Sequence, residues 1–288
     1  MKIKNLLHES ITASIKAGLV ILDVYHSDYS VEYKSDDSPL TIADQRSHDM
    51  ISGILSKTNI PILSEEGRNI DYAERKKWDR LWIVDPLDGT KEFIKRNDEF
   101  TVNIALVKNN TPVLGVIFVP VTSTLYFAAE GFGARKMSDP DLVKKIGEMI
   151  LQESKPEIVE MVLSCSVTLP LKQRTDETSC RIVGSRSHST PELEAYVAQK
   201  KKEYQTVGFL SAGSSLKFCL VAEGEADIYP RLGPTMEWDT AAGQAIAEQS
   251  GCRVLCWDTG SPLTYNRENL LNPNFVVSRP EQERPVTR

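Results

Sequence analysis

One segment, Leu81–Phe93 (LWIVDPLDGTKEF), constrains this chain more than any other, because an apolar, strand-like run ends directly in two aspartates. Asp85 and Asp88 are separated by only two residues, so their charges repel unless a cation, a shared proton or distance intervenes. Pro86 fixes one backbone dihedral and Gly89 relieves crowding, which would let both carboxylates face one point. The alternative is a turn in which either aspartate caps local N–H groups, since one short motif specifies little by itself.

The residues around the two aspartates suit a metal ion beside a phosphate. The Leu87 carbonyl could join the carboxylates as a third oxygen ligand, and oxygen ligands without His or Cys favour Mg²⁺ or Mn²⁺ over Zn²⁺. Thr90 and Lys91 open the following segment, whose N–H groups would suit an anion if it is helical. The next acidic residues, Glu92 and Asp98, do not match the spacing of a calcium-binding EF-hand loop.

Two further acidic clusters lie at the ends of predicted elements. Ser64–Gly67 (SEEG) follows the strand-like IPIL, and Glu237–Thr240 (EWDT) precedes a helical stretch. Loops at the ends of elements are where a rigid scaffold presents functional groups. Taken alone, the first cluster is a solvated corner, and Asp239 of the second is a helix N-cap, a position that Asp favours.

Composition indicates a globular chain with ordinary polarity and no strong basic character. Its 288 residues, 41% of them apolar, are enough for two domains or one large one. Lys and Arg number 34 against 40 Asp and Glu, and the net charge of −6 argues against nucleic-acid binding, which needs a basic face. Glu9, Lys16 and Asp23 interrupt the apolar N-terminal stretch, so we predict a helix there and neither a signal peptide nor a transmembrane segment. Five cysteines without a CxxC pair indicate reduced thiols and a cytoplasmic location.

The apolar runs predict alternating helices and strands in two halves. We expect an N-terminal α+β half at residues 1–155, a C-terminal α/β half at 156–278 and a disordered tail at 279–288. The charged, Pro-flanked stretch 135–157 predicts a surface helix at the boundary. In the second half, IVEMVLSCSV and ADIYPR are typical of strands, whereas TPELEAYVAQKKKEY, SSLKFCLVAEGE and DTAAGQAIAEQSG are typical of helices.

Three of these motifs together resemble one known family. LSEEG, WIVDPLDGT and EWDTAAG occur here in the order and spacing typical of the inositol monophosphatase-like superfamily of metal-dependent, lithium-sensitive phosphatases. The resemblance runs from about Pro39 to Gly251. It implies a layered αβαβα sugar-phosphatase fold, of α+β or α/β class, with the active site between two halves. The alternation of elements agrees with this fold.

Further stretches are similar to one branch of the superfamily, the CysQ-type 3'(2'),5'-bisphosphate nucleotidases. They are SPLTIAD, DGTKEFIKRNDEFTVNIAL, SRSH, GSSLKFCLVAEGEADIYPR and GPTMEWDTAAG. Inositol monophosphatases usually carry DGTTNF where this chain has DGTKEF, so Lys91 and Glu92 favour the nucleotidases. The resemblance implies that the 3'-phosphate of adenosine 3',5'-bisphosphate (PAP) is hydrolysed to give AMP in sulfur assimilation, with the sulfated form PAPS as a further candidate substrate. Between about Arg135 and Arg181 the chain carries residues that the shorter bacterial members lack.

Two alternatives stay open at this point. An inositol monophosphatase, or another sugar phosphatase of the same superfamily, would use the same metal core. A nucleotide-binding protein without activity could keep the fold, but it would have no need of the complete acidic set that activates a water.

The resemblance also implies roles for individual residues. Two or three Mg²⁺ ions, for which Mn²⁺ could substitute, would be held by Glu65, Asp85, the Leu87 carbonyl, Asp88 and Asp239. The water that attacks phosphorus in line would be oriented and deprotonated by Asp44, Glu65 and Thr90. The substrate would be bound by Asp88, Gly89, Thr90, Lys91, Ser185, His188, Gly213, Ser214, Lys217, Arg231 and Asp239.

Several of these residues also have plainer interpretations. Asp44 fits a helix N-cap before QRSHDMISGIL, and Lys217 and Arg231 fit solvated charges. His188 fits a structural hydrogen-bonding residue as well as an adenosine contact. The expected partner is a small nucleotide and not a nucleic acid, whereas the oligomeric state and peripheral association with the inner face of the membrane stay open.

Overall fold

The computed structural model describes residues 2–26, 31–33, 39–151, 158–173, 176–185 and 190–280. The first part of the chain alternates helices with strands and supplies one large sheet. Its elements are α1 (Ile3–Tyr25), β1 (Val31–Tyr33), β2 (Pro39–Thr41), α2 (Ile42–Leu55), β3 (Ile62–Ser64), α3 (Tyr72–Arg75), β4 (Arg80–Asp88), α4 (Thr90–Ile94), β5 (Thr101–Lys108), β6 (Thr111–Val119), β7 (Thr124–Ala129), β8 (Gly133–Ser138), α5 (Pro140–Leu151), α6 (Ile158–Ser164) and β9 (Val167–Thr168).

The first sheet has seven strands in the order β3-β4-β5-β6-β7-β8-β9. β3 lies parallel to β4, and every later neighbour in this sheet is antiparallel. The tight turn between β5 and β6 is formed by Asn109 and Asn110, both at positive φ, a conformation that Asn tolerates better than most residues. The pairing shifts register twice, between Leu106 and Val107 in the β5–β6 pair and at the acidic end of β4 in the β4–β5 pair.

The second part of the chain builds a smaller sheet and the helices beside it. Its elements are β10 (Ser179–Gly184), α7 (Pro191–Glu203), β11 (Thr206–Ser211), α8 (Leu216–Glu223), β12 (Ile228–Arg231), α9 (Glu237–Gln249), β13 (Arg253–Cys256) and β14 (Phe275–Ser278). The strand order is β11-β10-β12-β14-β13, with β10 parallel to both of its neighbours and β14 antiparallel to both of its own.

Alternating side chains of the sheets form separate apolar cores. In β4, Trp82 and Val84 face the core that α1, α2, α5 and α6 complete, whereas Leu81 and Ile83 face the core shared with α8 and α9. The second sheet packs on the far side of α8 and α9, and α7 covers its outer face through Tyr196. The layers therefore run helix, sheet, helix, sheet, helix, and the predicted αβαβα fold is confirmed.

The strand expected for IVEMVLSCSV is wrong over its first part, because Ile158–Ser164 is the helix α6. Ile158, Val159 and Val162 are buried, and this i, i+1, i+4 spacing is that of one helix face, here packed with the core around α1. The β-branched residues Ile158, Val159 and Val162 favour a strand locally, but packing against α1 stabilises the helix instead.

The structure shows contacts at both ends of the predicted C-terminal half. β9 pairs with β8 of the first sheet, so that sheet includes residues beyond the predicted boundary at 155. Arg279, the first residue of the predicted tail, is buried and donates a hydrogen bond to the Lys172 carbonyl. Residues 281–288 lie outside the described residues, and the division into halves stays a prediction.

The helix α9 packs directly on the backbone of β6 at a glycine. A Cβ atom added at Gly115 would lie 2.4 Å from the Ala242 carbonyl oxygen and 2.9 Å from the Ala245 Cβ. A carbonyl oxygen of a helix backbone can retreat only if the helix moves. Gly115 thus sets how closely α9 approaches the first sheet.

We expect Gly115→Ala to lower the free energy of unfolding by about 1–3 kcal/mol, because α9 has to shift to make room. Thermal unfolding followed by circular dichroism measures the loss. The matched control is Gly53→Ala in α2, where nothing lies within 4 Å of the added Cβ. That control should be neutral or stabilising by up to about 1 kcal/mol, since Ala is the better helix former. Equal melting temperatures for Gly115→Ala and wild type would contradict the close-packing argument.

Candidate active site

A β-bulge brings the two aspartates of β4 to the same side of the sheet. Side chains of a regular strand alternate, so residues three apart point to opposite faces. Asp85 pairs with Asn103 and Asp88 pairs with Thr101, so three steps along β4 match two steps along β5. The extra residue on β4 shifts the alternation by one. As a result, Asp85 and Asp88 become neighbours, which the sequence spacing alone does not require.

A third carboxylate comes from the other half of the molecule. Asp239 lies in the first turn of α9, and oxygens of Asp85, Asp88 and Asp239 lie within 4.8 Å of one another. The Asp239 Oδ2 accepts a hydrogen bond of 2.8 Å from the Met236 N–H, which fixes one side of the carboxylate. The expected N-cap position for Asp239 is wrong by three residues, because α9 begins at Glu237 after Met236.

The parallel pairing of β3 with β4 brings a fourth acidic residue to this edge. Ser64 pairs with Val84, so the next residue, Glu65, follows its strand beside Asp85, and its N–H donates to the Val84 carbonyl at 3.1 Å. Parallel strands end at the same edge of a sheet, and for this reason the acidic ends of two separate strands meet. Glu65 is exposed, whereas Asp85 is buried.

The carboxylates strongly perturb one another. Burial raises the pKa of Asp85 well above its ordinary range, and the carboxylates of Glu65, Asp88, Asp239 and Asp44 raise it further. Burial also raises the pKa of Asp239 to about 8, with Asp88 as the next cause. A divalent cation would compensate this charge, and carboxylate and carbonyl oxygens are the ligands that Mg²⁺ and Mn²⁺ prefer. These residues therefore fit the metal ion that the family resemblance implies.

Asp44 and Thr90 lie together next to the acidic cluster. Asp44 is buried in the first turn of α2, and the Thr90 hydroxyl lies 3.4 Å both from its Oδ2 and from the Leu87 carbonyl oxygen. Gly89, which precedes Thr90, has a φ of +92°, and an added Cβ there would lie 2.2 Å from the Ser214 Oγ. The backbone between Asp88 and Thr90 therefore requires glycine.

Three hydrogen-bonding residues around Asp88 are absent from the set that the sequence predicts. The Asp88 Oδ2 lies 2.8 Å from the Ser215 Oγ, 3.2 Å from the Asn103 Nδ2 and 3.5 Å from the Thr101 Oγ1. Asn103 carries a detectable signal, since it is a polar residue in the buried strand TVNIALVK. Ser215 is hidden beside Ser214, because the sequence does not tell which of two adjacent serines turns inward.

A cavity of about 150 Å³ lies beside the acidic cluster and contains most of the predicted substrate residues. The predicted residues on its wall are Asp88, Ser185, Gly213, Ser214, Lys217, Arg231 and Asp239. Lys91 is exposed on α4 and does not line this cavity among the described residues. His188 lies outside the described residues. Glu92 of the same helix does line the cavity, so of the two residues that favour the nucleotidases it is Glu92 that reaches the cavity.

Two cationic side chains on the cavity wall are held by backbone carbonyls. The Lys217 Nζ donates to the Ser214 carbonyl at 2.6 Å and to that of Ala212 at 3.3 Å, and burial lowers its pKa to about 8. The Arg231 Nη2 donates to the Pro234 carbonyl at 2.7 Å. Lys217 is buried, contrary to the interpretation as a solvated charge.

The loop before Lys217 is anchored by an acidic residue. The Gly213 N–H donates to the Glu99 carboxylate at 2.8 Å, so this N–H does not serve a bound anion. The Ser214 hydroxyl lies 2.9 Å from the Asp88 carbonyl oxygen and 2.7 Å from that of Glu99. The Glu99 side chain thus ties the cavity wall of the second half to the β4 end of the first half.

A comparison with known protein families shows to which family this chain belongs. A family model described as the inositol monophosphatase family matches residues 2–286. The chain belongs to the inositol monophosphatase family. Enzymes of this family are metal-dependent, in agreement with the acidic cluster.

Individual relatives within the family carry one shared name. The chain is 45% identical to the 3'(2'),5'-bisphosphate nucleotidase CysQ of Salmonella typhimurium over 267 residues, which cover 91% of this chain and 95% of the relative. It is 35% identical to the CysQ of Haemophilus influenzae, covering 95% and 93% of the two chains.

Solved structures confirm the fold. The crystal structure of CysQ from Bacteroides thetaiotaomicron superposes with a TM-score of 0.85 at 50% identity, covering 97% of this chain and 98% of that one. The inositol monophosphatase of Thermotoga maritima superposes with a TM-score of 0.68 at 22% identity, covering 95% of this chain and 92% of that one. No helix in the described part of the chain is both long enough and apolar enough to cross a membrane.

We expect the stability of the metal-free protein to fall as pH rises toward about 8. The folded pKa of Asp239 lies above its ordinary 3.8, so between these values the folded state binds more protons than the unfolded state. The unfolding free energy therefore decreases with rising pH in this window. Melting temperatures in a chelator at about pH 6 and about pH 8 measure the slope for wild type and for Asp239→Asn, which has no proton to lose. Identical slopes in both proteins would contradict the repulsion described for this site.

Proposed function

We propose that this chain is a metal-dependent 3'(2'),5'-bisphosphate nucleotidase, which hydrolyses the 3'-phosphate of adenosine 3',5'-bisphosphate to give AMP and phosphate in sulfur assimilation. The observation that supports this most directly is a cluster of three carboxylates that opens beside a cavity with two cationic side chains, Lys217 and Arg231. The names of the CysQ relatives support the same activity.

The charges of the cavity favour a substrate with two phosphates. One phosphate would lie at the acidic cluster, where a bound cation would offset the like charges, and the second would lie toward Lys217 and Arg231. An inositol monophosphate has only one phosphate and would leave these two cations without an anionic partner. PAPS carries the same 3'-phosphate and is a second candidate substrate.

We assign Mg²⁺ to the acidic cluster, with Mn²⁺ as a substitute and two or three ions per site. The residues that would hold it are Asp85, Asp88 and Asp239, together with the Leu87 carbonyl and Glu65. When bound, the ion neutralises phosphate charge and lowers the pKa of a water to near neutrality.

The remaining steps belong to the chain's own residues. The Asp44 carboxylate lies within reach of the Thr90 hydroxyl, so Thr90 can direct its oxygen lone pairs to the attacking water. Asp44 or Glu65 would accept one proton of that water as its oxygen attacks phosphorus in line. The new P–O bond forms as the bond to the ribose 3'-oxygen breaks, and the leaving oxygen takes a proton from solvent, which balances the proton that the carboxylate accepted. Ser185, Gly213 and Ser214 would line the position of the nucleoside.

The state of the cysteines indicates the cellular compartment of the protein. All five cysteines are free, which fits a reducing compartment, and we propose the cytoplasm.

We expect Asp88→Asn to reduce Mg²⁺-dependent phosphate release from adenosine 3',5'-bisphosphate by about 1,000-fold or more, since a lost charge at the metal weakens transition-state stabilisation by about 4 kcal/mol. The control is Asp258→Asn, at an exposed position away from the site, which should keep wild-type turnover. Near-wild-type turnover by a folded Asp88→Asn protein would overturn the metal assignment.

A panel of phosphate esters tests the substrate. We expect kcat/KM for adenosine 3',5'-bisphosphate to exceed that for inositol 1-phosphate by about 100-fold, because one lost charge-assisted contact costs about 1.5–3 kcal/mol. Phosphate release is followed colorimetrically, and Li⁺ at about 1 mM, a usual scale for ligand binding, should inhibit it. A higher kcat/KM for inositol 1-phosphate than for the nucleotide would contradict the nucleotidase and favour a sugar phosphatase.

A further inference from the structure

Ser215 occupies the N-cap position of α8 without capping the helix. Its side chain makes no hydrogen bond to an N–H group of α8, although serine is favoured at this position because its oxygen usually accepts one. The residue is 2% exposed, so its hydroxyl is not placed there for water. The hydroxyl points to the acidic cluster, where its Oγ lies 2.8 Å from the Asp88 Oδ2 and 2.9 Å from the Asp239 carbonyl oxygen.

Asn103 fixes the orientation of this hydroxyl. The Asn103 Nδ2 donates to the Ser215 Oγ at 2.8 Å and lies 3.2 Å from the Asp88 Oδ2. The Asn103 Oδ1 accepts a hydrogen bond of 3.0 Å from Thr101, which determines which end of the amide faces Ser215. With Asn103 donating to it, the Ser215 oxygen is left to donate its single proton toward the carboxylate or the carbonyl.

These hydrogen bonds reach only one of the two carboxylate oxygens of Asp88. A carboxylate oxygen accepts about two hydrogen bonds in its plane, and Ser215 and Asn103 supply two to Oδ2. Among the described residues, every hydrogen bond to this carboxylate is made at Oδ2, so Oδ1 accepts none of them. The rotation of the Asp88 carboxylate is therefore set by Ser215 and Asn103.

Ser215 also joins the two halves of the cluster. Asp88 belongs to β4 of the first sheet, and Asp239 belongs to α9 of the second half. The single Oγ atom lies within hydrogen-bond distance of both residues, so its contacts limit how far apart they lie, while its one proton is donated to one of them at a time. Ser215 could thus act on metal binding without touching the ion.

We propose that Ser215, held by Asn103, is a positioning residue that presents the Asp88 Oδ1 to the catalytic cation at a fixed distance from Asp239. The inference rests on the proposed metal-dependent function, and it adds two residues to the machinery of that site. Hydrogen-bonding partners of metal ligands commonly change metal affinity by 10- to 100-fold when removed.

Direct metal binding in the absence of substrate tests the proposal. Mn²⁺ affinity is measured by electron paramagnetic resonance and calorimetry for wild type, Ser215→Ala and Ser215→Thr. We expect Ser215→Ala to weaken Mn²⁺ binding by about 10- to 100-fold and Ser215→Thr, which keeps the hydroxyl, to recover most of the loss. The matched control is Ser14→Ala, another buried serine, whose hydroxyl donates only to the Ile11 carbonyl within α1. Ser14→Ala should bind Mn²⁺ as wild type does.

A second variant separates positioning from a general loss of packing. Asn103→Leu keeps a buried side chain of similar size and removes both amide donors. If Ser215 and Asn103 act through the same carboxylate oxygen, the effects of Ser215→Ala and Asn103→Leu on Mn²⁺ affinity should not add in the double variant. In turnover, the Mg²⁺ concentration for half-maximal rate should rise by a similar factor, while kcat at saturating Mg²⁺ stays within about threefold.

Two other outcomes overturn the inference, and a third rejects only the proposed substrate. Unchanged Mn²⁺ affinity in Ser215→Ala, or equal losses in Ser215→Ala and Ser14→Ala, would leave Ser215 with a structural role only. Wild-type protein that binds no Mn²⁺ would overturn both this inference and the metal assignment under the proposed function. Wild type whose Mn²⁺ affinity depends on the Ser215 hydroxyl but which does not hydrolyse the nucleotide would support the positioning role and reject only the proposed substrate.

Discussion

Mutual repulsion among carboxylates held within 4.8 Å of one another is the constraint that the surrounding structure has to oppose. Each of the three aspartates comes from a different local context: the interior of β4, its last residue and the first turn of α9. The unfolded chain would separate them freely, and only two packed sheets with helices between them keep them together. The stability of the layers therefore supports a site that, without a cation, works against folding.

The packing between the halves supplies this support at a few close contacts. Gly115 allows α9 to lie against β6, and Glu99 holds the loop at Gly213. At the far end of α8, Glu223 accepts hydrogen bonds from Tyr126 and, at 2.9 Å, from Lys136 of the first sheet. The helix that carries Ser215 is thus tied to the first half at both ends, and small movements of either sheet would reach the acidic cluster.

The amino-acid sequence predicted the fold and the acidic positions because those features depend on residue type and order. LSEEG, DPLDGT and EWDTAAG carry their chemistry in charged residues, which stand out against apolar strands. The helix α6 was not predicted, because Ile158 and Val159 favour a strand locally and only the packing against α1 selects a helix.

Ser215 and Asn103 were missed for a different physical reason. A hydroxyl or an amide can serve many partners, and the partner is chosen by the approach of elements that are distant along the chain. Asn103 and Ser215 lie on different halves, and their hydrogen bond exists only after both halves have packed. The charge of Lys217 was visible in the sequence, but its burial against the Ser214 carbonyl follows from the same tertiary packing.

The bulge in β4 has a consequence for how related chains can diverge. Because three steps along β4 match two steps along β5, the register of these two strands carries as much chemical information as the acids themselves. A relative that kept both aspartates three residues apart but gained one residue in the facing stretch of β5 would regain regular pairing and turn one carboxylate to the opposite face. A single-residue insertion in β5, outside the acidic motif, would here silence an enzyme whose acidic residues all survive.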